Sequence, residues 1–155
     1  MQQPSQDNDW QSGFVARLVE SFDRATGGSL MAEAGLDPAA LGQGAFEGPF
    51  ALLSHDGNAI LTYANRFALD LWEMDWQTML VTPSRKTAPP EDRAARAVLM
   101  DAVARDGFTR SYTGRRVSRS GRLFLIENAT VLTMKDKEGA VVGTGAFFRS
   151  VTRLG

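Results

Sequence analysis

One histidine, His55, and no cysteine occur in the 155 residues of this chain, which narrows the chemistry its side chains can perform. Without cysteine there are no disulfides, thiolate metal sites or thiol nucleophiles. A hydrolytic triad or proton relay would have to use His55. That residue runs directly into Asp56-Gly57-Asn58, where Gly57 tolerates positive φ and the flanking Asp and Asn hydrogen-bond locally. His55 therefore reads as part of a surface turn. A metal centre needs several His or carboxylate ligands at converging positions, and no such spacing is present. Glu127 is the one acid placed mid-segment in an apolar run, Leu123 to Met134. Aimed inward beside Tyr112, it could serve as the buried base of a small isomerase or dehydratase. Strand alternation sets it opposite Phe124 and Ile126, but Leu123 and Leu125 are apolar too, so periodicity leaves its direction open. No catalytic residue and no metal ligand are assigned.

Binding chemistry has more to work with. Tyr63, Asn65, Trp72, Trp76 and Tyr112 are the side chains best suited to line an interior pocket, with core filling and helix capping as the competing reading. Glu127 joins them as a pocket candidate. Arg85, Arg93 and Arg96 could clamp a carboxylate or phosphate, because guanidinium donates in a bidentate fork. Arg93 and Arg96 lie one helical turn apart, yet Glu91 and Asp92 beside them favour a solvated, ion-paired face. Between Gly107 and Arg122 there are five arginines and no acid, interleaved with Phe108 and Tyr112 and followed by Phe124. An exposed basic hairpin is the commoner reading of such a run than a single-strand nucleic-acid platform.

These residues need a scaffold, and the hydrophobic pattern supplies one. Trp10, Phe14, Val15, Leu18, Val19 and Phe22 recur at helical spacing, with Asp9 placed as cap and Gly27-Gly28 as stop. The stripe is broad enough that it must be buried, either on its own domain or in a homodimer; Trp10, Phe14, Leu18 and Phe22 are the dimer candidates. Asp37-Pro38 opens a short helix over Ala39 to Phe46. Pro49 to Ser54 and Ala59 to Tyr63 form a hairpin around residues 55–58, after which Asn65 caps a helix whose face is Phe67, Ala68, Leu71 and Trp72. A helical turn spans Asp75 to Leu80, and a polar loop runs from Val81 to Pro90. The next helix, Glu91 to Asp106, buries Ala95, Leu99, Ala102 and Val103 and ends at Gly107. Phe108 to Ser118, Leu123 to Met134 and Ala140 to Phe148 then make an antiparallel meander. The simplest packing is α+β: one five-stranded antiparallel sheet, helices on one face, and an N-terminal helical extension. Residues 1–28 form the tail and amphipathic helix, and 29–155 the domain proper, one unit overall.

Composition agrees. Apolar residues make up 43% and charged residues 23% of the chain, the balance of a globular protein. A net charge of -1 gives no global attraction to nucleic acid or anionic membrane. No apolar run is long enough to span a bilayer, and the polar, acidic start has none of the features of a secretory signal, so a cytoplasmic location is expected.

Two segments at opposite ends of the domain carry a resemblance. Asp56 to Asn65 followed by Ala68-Leu69 resembles the opening hairpin and first helix of PAS domains. Lys137 to Gly143, running on to Arg149-Ser150-Val151-Thr152, resembles the last PAS hairpin and its terminal Asp-Ile-Thr signature. Between them, Trp72 to Trp76, Pro83 to Arg85, Arg93 to Arg96, Asp106 to Phe108, Tyr112 to Ser118 and Ser120 to Phe124 are similar to the MEKHLA family. That PAS-like family includes stand-alone bacterial proteins, the type implied here, and the C-terminal regions of plant homeodomain leucine-zipper regulators. The resemblance spans roughly residues 15–148 and implies a non-catalytic sensory or regulatory domain. Such a domain binds a small ligand, a signalling protein or both, and has an interior pocket between helices and sheet. Ser150 departs from the signature Asp, and with three residues after Thr152 the expected action is in trans, with no output module of its own. A light-sensing flavin adduct needs a Cys on the helix near Asn65, which is absent. Haem sensors of this fold usually need a His on the long helix, and 91–106 has none, so neither the flavin adduct nor His-ligated haem is expected, while non-covalent flavin stays open and the cofactor unassigned. An isomerase-type enzyme and a ligand-free dimerisation module remain the alternatives.

Overall fold

The computed structural model describes residues 1–155. In chain order the elements are α1 (Ser12–Thr26), α2 (Leu30–Ala34), α3 (Leu41–Glu47), β1 (Ala51–Asp56) and β2 (Leu61–Ala64). They are followed by α4 (Arg66–Trp72), α5 (Trp76–Met79), α6 (Arg93–Asp106), β3 (Phe108–Val117), β4 (Leu123–Lys135), β5 (Val141–Phe148) and β6 (Ser150–Leu154). Short 3-10 turns at Gln6–Gln11, Pro38–Ala40, Ser84–Thr87 and Pro90–Asp92 join them. All strand pairs are antiparallel and the sheet order is β2-β1-β5-β4-β3.

The sheet has two covered faces, and strand alternation assigns each residue to one of them. Phe147 faces α1, meeting Phe22 edge-on at 6.2 Å between ring centroids. Its neighbour Phe148 faces the opposite way, against Trp72 of α4. On the α1 face, Val15, Leu18 and Phe22 are completely buried. A Cβ at Gly145 would lie 2.7 Å from Leu18 Cδ1, so glycine is what lets α1 sit this close to β5. Phe14 stacks on Tyr63 at 5.4 Å, and Trp10 meets Phe46 at 6.2 Å. The stripe expected to need burial is thus buried within its own chain. Leu18 and Phe22 offer no free surface to a second copy unless the helix is exchanged.

Local chemistry accounts for most boundaries. Gly27, at φ +73°, closes α1 with its N–H on the Asp23 carbonyl. Asp37 accepts from the Ala39 N–H ahead of Pro38, and Asp75 accepts from the Thr78 N–H to start α5. Two boundaries differ from expectation. Asp9 does not cap α1: residues 9–11 all take positive φ, and the helix begins at Ser12, whose hydroxyl donates to the Asp9 carbonyl. The first hairpin turns two residues later than expected. The Asp56 carboxylate accepts from the N–H groups of Asn58 and Ile60, which ends β1 at Asp56 instead of Ser54. The meander also acquires an unforeseen last strand, β6, which pairs with Leu123–Glu127 where β5 leaves off. Residues Arg149-Ser150-Val151-Thr152 therefore run into sheet.

Asn65 joins the layers. Its Oδ1 accepts from the Ala68 N–H, capping α4, and from the Leu52 N–H of β1. Its Nδ2 donates to the carbonyls of Ala45 and Phe50. The side chain is fully buried and every donor and acceptor it has is used, which makes it a structural splice.

Candidate functional site

Opposite α1, the sheet and the helical layer do not close completely. A cavity of about 70 Å³ lies under α6 and the Ser84–Thr87 turn. Its floor comes from alternate residues of the central strands: Leu53, Ile126, Val131, Ala146 and Phe148. Trp72 walls one end, edge-on to Phe124 at 5.1 Å, and its indole N–H donates to the Thr87 carbonyl. Leu99 and Met100 of α6 form the roof. The cavity opens beside α6 into a surface groove that shares His55, Ser84, Arg96, Met100 and Thr144 with it.

Three basic side chains enter this mostly apolar space. Because β1 extends through Asp56, His55 follows Leu53 on the inner face of the sheet, paired with Thr144 of β5. The surface-turn reading of His55 is corrected. The imidazole is half-buried, its Nδ1 lies 3.0 Å from the Asp56 carbonyl oxygen, and its Nε2 is buried with no partner in the chain. Arg96, on the cavity side of α6, donates from Nη2 to Ser84 Oγ at 2.9 Å. Arg116 of β3 is only 6% exposed. It donates to the Tyr112 hydroxyl and the Arg115 carbonyl, with its guanidinium 5.3 Å above the Tyr112 ring. No carboxylate comes within 4.0 Å of Arg96 or Arg116.

The expected ion-paired face on α6 is accordingly not what forms. Asp92 takes a two-pronged bond from Arg115, at 2.7 and 2.9 Å, and Glu91 lies 3.6 Å from the same guanidinium. Arg93 turns away and donates to the Arg85 and Ala88 carbonyls. With the local acids engaged by Arg115, Arg96 is left to the cavity. Burial, and then repulsion from Arg116, push the Arg96 guanidinium down to about 10. Burial likewise depresses the His55 imidazole below its ordinary value of 6.5, so it is neutral at physiological pH. The helix face also differs from expectation: Val103 is buried and Leu99 and Met100 face the cavity, whereas Ala95 is exposed.

Among the residues that the sequence marks for a pocket, Trp72 lines the cavity and the others lie elsewhere. Tyr63 is buried on the opposite face between Phe14 and Trp76, its hydroxyl without a partner and burial raising its pKa. Asn65 is the splice described above, and Trp76 is core with its indole N–H on the Met1 carbonyl. Arg85 is exposed, and Arg93 lines a separate groove beyond Trp72. Tyr112 contributes indirectly, by holding Arg116. Glu127 points away from the cavity, where its carboxylate accepts from Thr152 Oγ1 at 3.2 Å. The inward-facing acid that an isomerase would need is not supplied by this residue. The basic run is also broken up: Arg110 pairs with Glu33 at 2.8 Å, Arg115 with Asp92, and Arg116 is buried. Of the three basic groups, Arg96 is one the sequence already offers as an anion clamp, and His55 and Arg116 were recoverable in part, since Leu53 and His55 share strand parity, as do Tyr112, Gly114 and Arg116.

This geometry has a pH signature. A folded-state histidine pKa below the unfolded value means that the unfolded chain binds more protons between the two, so stability falls as the pH drops below about 6.5. His55→Gln, which keeps a polar amide without the titration, is expected to flatten that decline. Melting both proteins between about pH 7 and 5 checks it; equal slopes would mean that His55 ionises freely in the folded state.

A scan against protein families matches the MEKHLA domain over residues 12–153. The chain belongs to the MEKHLA domain family. Solved structures place the fold. A PAS domain from Colwellia psychrerythraea superposes with a TM-score of 0.62 at 18% identity, over 71% of this chain and 92% of that one. A PAS domain of a two-component sensor histidine kinase gives 0.56 at 18% identity, over 70% and 88%. An RNA-binding light-oxygen-voltage receptor gives 0.56 at 20% identity, over 77% of this chain and 35% of that larger protein. The MEKHLA chain thus has a PAS fold, with α1 lying across the outer face of its sheet. No protein of curated function matches it significantly. No helix is long and apolar enough to cross a membrane.

Proposed function

We propose that this MEKHLA domain is a non-catalytic sensory or regulatory module that takes a small molecule into the cavity under α6 and relays its occupancy to a partner protein. The observation carrying the proposal is the cavity itself, apolar on most sides with a few convergent polar groups. Its roof supports a regulatory role. Only Val103 of the fourteen residues of α6 is fully buried, so the helix is weakly held and can shift with what lies beneath it. A cytoplasmic location is part of the same reading.

Self-association by exchange of α1 is a subsidiary proposal. The exposed Gly27-Gly28-Ser29 link after the helix is a suitable hinge for it.

The test is the absorbance spectrum and native mass of the purified protein. Excess mass that departs on denaturation, with or without a chromophore, supports a ligand-binding module. A protein that never carries or takes up a small molecule would leave only the protein-binding role.

A further inference from the structure

The charged side chains of the cavity are all of one sign. Arg96 and Arg116 both bring a guanidinium to it, from α6 above and from β3 at the side. Each guanidinium has five N–H donors. Arg96 uses one nitrogen, on Ser84 Oγ, and Arg116 uses one, on Tyr112 and Arg115. The acids around the site are Asp92, which bonds to Arg115 and feels Arg116 at longer range, Asp56, which follows His55, and Asp101, at the mouth of the groove. None comes within 4.0 Å of the Arg96 or Arg116 guanidinium. Like charges facing one apolar space repel, and a buried cation without a counter-charge is costly. The depressed Arg96 records that cost. An anion entering the cavity relieves it, and the unused donors suit a planar, two-oxygen acceptor. Beyond the guanidiniums the lining is His55, the hydroxyls of Ser54, Ser84, Thr87 and Thr144, and apolar wall from Leu53, Ile126, Ala146 and Phe148, with no third cation. A dicarboxylate would set its far charge where no counter-charge lies. A volume of about 70 Å³ is under half that of the engineered cavity known to take benzene, so only a short alkyl end fits inside, with the carboxylate toward Arg96 where the cavity opens to the groove.

We propose that the cavity binds a short-chain monocarboxylate, its carboxylate between Arg96 and Arg116 with His55 Nε2 as a further polar contact, and its alkyl end against Leu53, Ile126 and Phe148. This rests on the small-ligand reading above and gives the ligand a chemical class.

Isothermal titration of the full chain with butyrate, butyramide, butanol and inorganic phosphate separates the two claims. Butyrate is expected to bind, with butyramide and phosphate about tenfold or more weaker. Arg96→Gln, at a half-buried position that the fold tolerates better than Arg116, is expected to weaken butyrate by about tenfold or more. Arg105→Gln, on the exposed side of the same helix, leaves it unchanged. Butyramide or butanol binding as well as butyrate would overturn the carboxylate inference and keep the ligand site. Phosphate binding equally well, or Arg96→Gln without effect, would overturn it too. If none of the four binds and the protein purifies without a small molecule, the ligand-site reading falls with it.

Discussion

Asn65→Ala is expected to destabilise this domain by about 4 kcal/mol or more, enough to leave a protein of this size near its unfolding threshold. The substitution removes the cap of α4, worth about 1 kcal/mol. It also strands the Leu52 N–H and the carbonyls of Ala45 and Phe50 in the core, at about 1–3 kcal/mol each. Asn65→Ser separates the two contributions. A serine hydroxyl can restore the cap on Ala68, but it cannot reach β1, α3 and the Phe50 carbonyl at once. Serine is therefore expected to recover about 1 kcal/mol and no more. Urea denaturation of the three proteins decides it. A serine variant as stable as wild type would reduce Asn65 to an ordinary helix cap.

The second large effect concerns α1. Phe22 is completely buried between the helix and β5, against Phe147, in the same core as the strands. Phe22→Ala is expected to cost about 3–5 kcal/mol, the usual range for deleting a buried aromatic side chain. Removing residues 1–28 would bare the sheet face that Leu18 and Phe22 cover, and the remainder is expected to aggregate. A division at residue 28 therefore separates parts of one core. The same variant tests how α1 is worn. If the helix folds back on its own chain, the melting midpoints of wild type and Phe22→Ala are independent of protein concentration. If it is exchanged between two copies, both midpoints rise with concentration.

The features legible in the sequence were those set by local chemistry. The Asn65 cap, the Gly27 stop, the apolar stripe of α1 and the three-strand meander each follow from a few neighbouring residues. The site was less legible, and particular residues show why. His55 depends on where β1 ends, and one carboxylate, Asp56, moved that end by two residues and turned a surface histidine into a cavity wall. Arg116 depends on strand parity, which irregularities near Ser111 and Asn128, both at positive φ, interrupt. Arg96 depends on a pairing 23 residues apart in the chain: Asp92 bonds to Arg115, and no acid on α6 neutralises Arg96. β6 has no strong local signal in Ser150 to Leu154 and forms because β4 is longer than β5 and leaves Leu123–Glu127 open to pairing. For Arg96 and β6 the deciding partner is distant in sequence, where spacing rules have no reach.

The central claim is that the space under α6 is a ligand site and not a gap in packing. Ala146→Leu is the direct probe, because it sends three more carbons from β5 into a void of about 70 Å³. Native mass spectra of wild type and Ala146→Leu, prepared identically and checked for folding by circular dichroism, are compared with their denatured masses. The account predicts excess mass on folded wild-type protein, lost on denaturation and missing from a folded Ala146→Leu. Two ligand-free spectra, with the leucine variant the more stable protein because its core is better filled, would contradict it.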